Sequence, residues 1–269
     1  MNYLIVLDPL DSLDTAHDSS IGMMLAIQKK NHALWVCDTS SLFINSGHAY
    51  AHAAQISVNC QHTPWYRHQQ HDTVNLADFD IILMRKDPPF DMNYVFATYI
   101  LDIAANNGAL VANNPQSLRD FNEKLILNYF PELTTEYLVS SHINTLLEFI
   151  NTHQDTVIKP LDSMGGDSVY RLKSQHDNHQ RLLDITLKGS RHVMIMPYIP
   201  EVTVGDKRLI LLNGKTCPYA LLRTPPAGQL QANLAAGGTG TVVPLTDRDH
   251  TICNTIAPFC LQHGLYIVG

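Results

Sequence analysis

Short apolar runs alternate with longer amphipathic segments along the first 112 residues of the chain. The runs have the length of buried strands, and the amphipathic segments predict helices, the first of them capped by Asp18. A short alternating segment after the second strand predicts a β-hairpin or an edge excursion. The predicted strands are 3–7, 33–37, 79–84 and 110–112, the hairpin is 42–60, and the helices are 21–30 and 93–105. Strand–helix–strand order with short connections indicates an open, mainly parallel α/β sheet.

The pattern changes after residue 113. Pro115 suits the first turn of a helix, which we expect to run through Phe130. Strands dominate after residue 155, and Asn213-Gly214 predicts a hairpin because both turn positions must tolerate a positive φ. These strands are 157–159, 169–172, 193–196, 208–212 and 219–223. We therefore expect an N-terminal α/β domain at residues 1–120 and an α+β domain at residues 121–269.

Charge and composition narrow the classes of function. The 269 residues include 18 Lys and Arg against 25 Asp and Glu, so the net charge is −7 with His neutral. This balance disfavours a general surface for nucleic acid or anionic membrane. No apolar run approaches the roughly 18 residues of a membrane span. The five cysteines are scattered and form no C-x-x-C pair, which disfavours disulfides and zinc. We expect a protein of the reducing cytoplasm.

A glycine pair follows the β-branched run that ends at Lys159. Gly165 and Gly166 allow the backbone to turn several N–H groups toward one point, and Lys159 could hold the other side of the same anion. The pattern predicts a phosphate cradle between two strands, unlike the strand–loop–helix of a Walker loop. The alternative is a plain hairpin with a Gly-Gly turn.

Two basic residues precede this segment. Arg85 directly follows the predicted strand 79–84, and ligands bind at the carboxyl ends of strands in open α/β sheets. Lys124 lies on the predicted helix that opens the second domain. For both residues the alternative is a solvated surface charge.

Two arginines belong to the strands around the Asn-Gly turn. Asp206 and Arg208 lie on one face of their strand, and the hairpin would bring Arg208 near Arg223. Neighbouring arginines repel unless an anion or an acid joins them, which favours a substrate clamp over a chance arrangement.

Two further segments could enclose a ligand. Residues 194–200 form an apolar strand closed by prolines, which could wall an adenine ring, although a core strand has the same pattern. Residues 227–241 predict a long flexible loop of the kind that often forms a lid, with disorder as the alternative.

Eight short motifs recur in order along almost the whole chain. They are Asp8-Pro9, Met84-Arg-Lys-Asp-Pro-Pro-Phe90, Asn114-Pro-Gln-Ser-Leu-Arg-Asp120, Asn122-Glu-Lys124, Lys159-Pro-Leu-Asp162, Met164-Gly-Gly166, Gly205-Asp-Lys-Arg208 and Asn233-Leu-Ala-Ala-Gly-Gly238. As an ordered set they are highly specific, and they resemble the bacterial glutathione synthetases of the ATP-grasp superfamily.

The resemblance implies an ATP-dependent ligase whose small-molecule substrates are γ-glutamylcysteine, glycine and ATP. A carboxylate of γ-glutamylcysteine takes the γ-phosphoryl group of ATP, and the amine of glycine displaces phosphate from the acyl phosphate to give glutathione. Pre-placed cations suit the negative charge of this transfer. The ATP-binding residues that the resemblance implies are Lys124, Lys159, Met164, Gly165, Gly166, Met196, Pro197, Tyr198 and Ile199. The implied catalytic residues are Arg208 and Arg223, and the implied substrate-binding residues are Arg85, Asp206, Asn233, Gly237 and Gly238.

The chain departs from the family pattern in two places. Gln231 and Thr239 stand where the lid usually carries arginines, which predicts weaker lid closure or a different substrate. Family members continue beyond the position of Gly269 into the Asp, Glu and Asn that hold Mg²⁺ or Mn²⁺. No metal ligand is therefore assigned here, and the catalytic activity of residues 1–269 alone is expected to be impaired.

Two alternatives to a glutathione-forming ligase stay open at this point. One is a non-catalytic remnant that binds a nucleotide or a partner chain, and the other is an ATP-grasp ligase with a different acceptor. By analogy, the family resemblance also predicts a homo-oligomer. The 14 histidines receive no role.

Overall fold

The computed structural model describes residues 1–86, 89–163, 168–226 and 237–269. The chain folds into two compact units. The first combines Met1–Asp120 with Leu261–Ile267, and the second combines Phe121–Cys260 with Val268–Gly269. Within the described ranges, no helix is long and apolar enough to cross a membrane.

The first unit is built on one mixed sheet. Its elements are β1 Asn2–Val6, α1 Ser19–Lys29, β2 Ala33–Cys37, β3 Leu42–Asn45, β4 His48–Val58, β5 Tyr66–Asn75, β6 Ile81–Met84, α2 Met92–Asn106, β7 Leu110–Ala112 and α3 Pro115–Asp120. Strands β2, β1, β6 and β7 pair in parallel in that order, while β4 pairs antiparallel with β2, β3 and β5. The predicted α/β sheet, its parallel centre and its hairpin are confirmed, whereas β5 was not predicted.

The parallel centre of this sheet is buried on both faces. Leu4 of β1 packs into the cluster that contains Leu101 of α2, and Ile5 packs into the cluster that contains Met24 of α1. Because successive residues of a strand point to opposite faces, a strand covered on both sides must be apolar throughout. The continuous apolar run at the start of the chain follows from this position.

The described residues of the second half of the chain form three further sheets. The elements here are β8 Leu138–Ser140, α4 Ile143–His153, β9 Asp155–Pro160, β10 Tyr170–Lys173, α5 His179–Ile185, β11 Val193–Pro197, β12 Asp206–Arg208, β13 Leu211–Leu212, β14 Lys215–Thr216, β15 Tyr219–Thr224, β16 Thr239–Pro244, α6 Asp247–Gln262 and β17 Ile267–Val268. The sheets have the orders β10-β9-β11-β8, β12-β15-β16 and β14-β13-β17. The Asn213-Gly214 hairpin is confirmed between β13 and β14, with both residues at positive φ.

The helices α4 and α5 cover one face of the sheet β10-β9-β11-β8. Ile158 of β9 packs with Leu146 of α4 and Leu182 of α5 in a buried apolar cluster. The alternate residues of β9, Val157 and Lys159, are less buried and point to the other face. The sheet therefore carries Lys159 on the face opposite its helix-covered core, next to the fully buried Met194.

The helix predicted from Pro115 through Phe130 was wrong in its length. It ends at Asp120, and residues 125–129 form a 3-10 helix. The side chain of Asn122 explains the break, because its Oδ1 accepts from the backbone N–H groups of Lys124 and Leu125 at 2.9 and 3.2 Å. Such side-chain bonds compete with the helical backbone pattern.

Two predictions in the strand-rich region also need correction. The strand predicted over 208–212 is divided into β12 and β13, because β12 pairs with β15 whereas β13 pairs with β14. The loop predicted over 227–241 is a strand from Thr239 onward, since β16 is β-branched there and pairs along the whole of β15. Residues 227–236 of that prediction lie outside the described residues.

Gly205 controls the entry into β12, and its replacement gives a test of this geometry. It has a φ of +124°, and an added Cβ would lie 2.7 Å from the carbonyl oxygen of Arg223. We expect Gly205→Ala to lower the free energy of unfolding by about 1–3 kcal/mol, measured by denaturant titration. Gly22→Ala is the control, because nothing lies within 4 Å of its added Cβ inside α1. It should stabilise by about 0.5–1 kcal/mol, and equal losses in both variants would contradict the interpretation.

Candidate functional site

Lys159 lies on the face of its sheet opposite the apolar cluster of α4 and α5, and it pairs with Met194 in the antiparallel register. Loss of hydration and the nearby charge of Lys124 lower the pKa of Lys159, while the carboxylate of Glu123 acts in the opposite direction. In the described part of the chain, no hydrogen bond or ion pair reaches its side chain. A partly dehydrated cation beside a second cation is suited to an anionic ligand.

Lys124 is held beside Lys159 by contacts of its own. Its side chain is almost fully buried, and Nζ donates to Glu123 Oε1 at 2.7 Å and to the carbonyl oxygen of Ser163 at 2.6 Å. The prediction of a helical position was wrong, since Lys124 caps the 3-10 turn. Ser163 directly precedes the predicted phosphate loop, whose residues Met164, Gly165 and Gly166 lie outside the described residues.

The register of β12 and β15 brings the two predicted arginines together. Asp206 stands opposite Arg223 and accepts two hydrogen bonds from its guanidinium, both 2.8 Å long. Arg208 lies two residues further along the same strand face. Loss of hydration and the charge of Arg223 lower the pKa of Arg208, whereas Asp206 and Glu123 raise it. Asp206 is thus paired with Arg223 and acts on Arg208 only through its charge.

Arg208 differs from Arg223 in having no acidic partner in contact. Among the described residues, no carboxylate oxygen lies within 4 Å of the Arg208 guanidinium. Glu123 influences the pKa of both Lys159 and Arg208, so the two sheets bring their cations to the same neighbourhood. Lys124 also lowers the pKa of Asp162, which is paired with Arg191. Among the described residues, this pair, the cations Lys124, Lys159, Arg208 and Arg223 and the acids Glu123 and Asp206 leave an excess of two positive charges, five minus three. Such a cluster suits a polyanion.

The predicted adenine-side segment, Met196 to Ile199, borders the same sheet face. Met196 stands opposite Val157 in the register, two residues along β9 from Lys159. Pro197 ends β11, and the backbone N–H of Tyr198 donates to the carbonyl oxygen of Asp155 at 3.0 Å. Ile199 is 44% exposed, so this segment offers apolar surface at the edge of the sheet face that carries Lys159.

The predicted glycines of the lid lie directly before β16. Gly237 has a φ of +87°, a conformation that favours glycine, and Gly238 follows it into the strand. The same strand pairs Gly240 with Arg223, so the two glycines lead directly into the sheet that carries the arginines. Asn233 lies outside the described residues.

Arg85 belongs to the first unit, where it follows β6 as predicted. Its guanidinium donates to the hydroxyl of Ser19 at 2.9 Å and to that of Ser20 at 3.4 Å, at the start of α1. These groups line a cavity of about 360 Å³ together with His17 and Asp18. A guanidinium beside hydroxyl groups and a helix N-terminus can bind a carboxylate.

Among the described residues, the histidines take part in no candidate metal centre. No group of three or more metal-binding side chains is suitably placed in residues 1–86, 89–163, 168–226 and 237–269. His52, His68 and His71 line a separate cavity of about 660 Å³ in the first unit, and His52 Nδ1 lies 3.0 Å from Thr73 Oγ1.

Comparison of folds identifies the class of protein. D-cycloserine synthetase shares the fold with a TM-score of 0.65 at 14% identity, over 99% of this chain and 83% of its own. The ATP-grasp ligase PsnB, solved with a minimal precursor, Mg and ADP, has a TM-score of 0.59 at 12% identity, over 99% of this chain and 82% of its own. The chain has the fold of the ATP-grasp ligases.

Comparison of sequences gives the family. The model of the prokaryotic glutathione synthetase N-terminal domain matches residues 1–119, and that of the prokaryotic glutathione synthetase ATP-grasp domain matches residues 123–269. The glutathione synthetases of Photorhabdus laumondii and Escherichia coli O127:H6 are each 41% identical over 266 residues, which cover 98% of this chain and 84% of each relative. The chain belongs to the prokaryotic glutathione synthetase family. Membership implies the use of ATP with a divalent metal ion, and it confirms the resemblance seen in the motifs.

Sequence reasoning missed two contributors to this site. Glu123 stands inside the motif Asn122-Glu-Lys124, but only the structure shows that it influences cations from two sheets. Arg171 of β10 forms a two-bond pair with Asp155, a residue outside the predicted strand 157–159. The sequence contained one indication of Arg171, an arginine next to the buried Leu172 in a short strand, where successive residues point to opposite faces.

Lys159→Met tests whether the partly buried charge of Lys159 lowers the stability of the ligand-free protein. Because the folded state lowers the pKa of Lys159, the unfolded chain binds more protons between that pKa and the ordinary value of 10.5, and wild-type stability rises with pH in that window. We expect the ligand-free variant to be more stable than wild type at pH 7. The difference in the free energy of unfolding should shrink as the pH rises through that window. Urea titrations at pH 7 and at a pH near 10.5 would measure it.

The control for this test is Lys215→Met, an exposed lysine of β14. It should change stability by no more than about 0.5 kcal/mol. A less stable Lys159→Met protein at pH 7 would contradict the interpretation.

Proposed function

We propose that the protein is an ATP-dependent ligase that joins γ-glutamylcysteine to glycine and forms glutathione. The observation that carries this proposal is the match to both domains of one synthetase family, combined with a cluster of cations with excess positive charge in its ATP-grasp part. A polyanionic nucleotide and an acyl phosphate are ligands of the required charge.

The reaction has two steps, phosphorylation of a carboxylate and displacement of phosphate by an amine. A carboxylate oxygen of the cysteinyl residue attacks the γ-phosphorus of ATP, the bond to the bridging oxygen breaks, and ADP leaves. The amine of glycine then attacks the acyl carbon, phosphate leaves with the bonding electrons, and the amine loses a proton. When bound, a divalent metal ion such as Mg²⁺ or Mn²⁺ supplies charge stabilisation at the phosphates.

The contacts of each cation support a separate role. Lys124 and Lys159 would bind phosphate oxygens, with Lys124 tied by Ser163 to the segment that would cover them. Arg208, which lacks an acidic partner in contact within the described residues, is suited to the charge that develops on the transferred phosphoryl group. Arg223 is already paired with Asp206, so this pair would position substrate as a unit.

The remaining candidate residues would surround the base and the dipeptide. Residues 196–199 would hold adenine, while 164–166 would cover the phosphates. Arg85 would bind a carboxylate of γ-glutamylcysteine, and Asn233, Gly237 and Gly238 would close over substrate. A homo-oligomer stays a prediction of the family, which the elution volume of the purified protein in size-exclusion chromatography would test.

The decisive experiment is phosphate release from MgATP with γ-glutamylcysteine, in the presence and absence of glycine. The protein should be expressed from its complete gene, and glutathione should be identified by mass. We expect phosphate release to depend on both substrates. Turnover that is faster with another amino acid than with glycine would identify a ligase with a different acceptor, which the altered lid positions Gln231 and Thr239 keep in view.

Arg208→Met tests the catalytic assignment. Removing one charged donor from a developing anion costs about 10²–10³ in kcat, so we expect a loss of that size with KM for ATP changed far less. The exposed Arg248→Met in α6 is the control and should keep wild-type kcat. Equal activity of both variants would remove Arg208 from the mechanism.

Arg85→Lys tests the dipeptide site in the first unit. Lysine keeps the charge but loses the planar fork, so we expect KM for γ-glutamylcysteine to rise roughly tenfold at unchanged KM for ATP. Arg67→Lys on the exposed strand β5 is the matched control. A KM change for ATP rather than for the dipeptide would contradict this assignment.

A further inference from the structure

The segment that would hold adenine is fixed from one side by an arginine with no assigned role. Arg171 lies on β10, opposite Val157 of β9, so it lies on the same face of the sheet as Lys159. Its guanidinium lies 3.5 Å from the centre of the Tyr198 ring. Guanidinium groups stack on aromatic faces at such distances.

The arginine is itself held in place by two hydrogen bonds. Arg171 Nε donates to Asp155 Oδ1 at 2.8 Å, and Nη2 donates to Oδ2 at 2.5 Å. The same Asp155 accepts the backbone N–H of Tyr198 through its carbonyl oxygen at 3.0 Å. Asp155 therefore binds Tyr198 directly through its backbone and indirectly through Arg171, which fixes both the main chain and the ring of Tyr198.

This arrangement has the geometry of a support for the base-binding segment. Along β9, Asp155 stands at the end near residues 196–199, and Lys159 stands four residues away, about 13 Å at the rise of a strand. A nucleotide with its base at residues 196–199 and its phosphates at Lys159 would extend along this face. A hinge that offers backbone hydrogen bonds to a base must keep its backbone fixed, because hydrogen bonds weaken steeply with misalignment.

We propose that Arg171 is a positioning residue for nucleotide binding, which acts through the ring of Tyr198 and contributes to the preference for adenine. This inference rests on the proposed function, because it assigns residues 196–199 to the base. The expected consequence of losing Arg171 is a weaker and less selective nucleotide site with intact chemistry at saturating ATP.

The test measures nucleotide binding directly, so it does not depend on the ligase reaction. A non-hydrolysable ATP analogue and the corresponding GTP analogue are titrated by calorimetry into wild type and Arg171→Met. We expect the variant to bind the ATP analogue about 3- to 5-fold more weakly, the size of a cation–π contact at an exposed site. The ratio of affinities for the ATP and GTP analogues should fall, and KM for ATP should rise while kcat stays within about twofold.

The matched control is Arg181→Met, which removes another guanidinium stacked on a ring of the same sheet, 5.0 Å from the centre of Tyr170. It should leave nucleotide affinity within about twofold of wild type. Arg171→Lys should recover part of the loss, since it keeps the charge but cannot make two parallel bonds. Tyr198→Leu, which leaves the Arg171–Asp155 pair intact, should show a loss like that of Arg171→Met.

The outcomes separate this inference from the proposed function. Unchanged affinity and selectivity in a folded Arg171→Met protein, or equal losses in Arg171→Met and Arg181→Met, would overturn the positioning role while leaving the ligase intact. If Arg171→Met does not fold, Tyr198→Leu decides by the same two measurements. Absence of nucleotide binding in wild type would overturn both proposals.

Discussion

The repulsion between like charges is the constraint on which the second unit depends. Lys159 and Arg208 both have lowered pKa values because they lose hydration and face another cation. Without ligand, such an arrangement costs free energy, and the fold must supply it from elsewhere. The cluster of α4, α5 and the covered face of β9 provides apolar burial that is independent of these charges. One face of the sheet thus stabilises the unit, and the other face carries the unfavourable charge.

Two acids limit this cost without cancelling the charge. Glu123 contacts Lys124 and acts on the pKa of Lys159 and Arg208, and Asp206 forms a two-bond pair with Arg223. Full neutralisation would make the site a structural ion-pair network with little use for an anion. Incomplete neutralisation leaves a positive electrostatic potential that attracts a triphosphate or an acyl phosphate. Phosphoryl transfer needs such a preorganised arrangement of cations. The same contacts therefore explain the strain of the site and its chemistry.

Much of the fold could be predicted from local patterns. The strands β1, β2, β6 and β7 are continuous apolar runs because both of their faces are buried, and Asn213-Gly214 predicts its hairpin because both residues require positive φ. The order of short motifs was sufficient to recognise the family, since each motif alone is weak but the set is specific. These features depend on residues close together in sequence, where propensity and periodicity act.

The errors arose where a specific side-chain bond or a distant pairing partner, and not the local periodicity, decides the structure. Asn122 ends the helix that Pro115 begins, and its Nδ2 also donates to the carbonyl oxygen of Leu161, a contact that no helical pattern reveals. Lys124 is consequently buried beside the phosphate-loop strand and not exposed on a helix. Chain positions 122–124 and 161–163 are too far apart for any propensity to relate them. The burial and the hydrogen bonds of the site residues depend on such long-range contacts. The sequence therefore predicted which residues belong to the candidate site but not their burial or their partners.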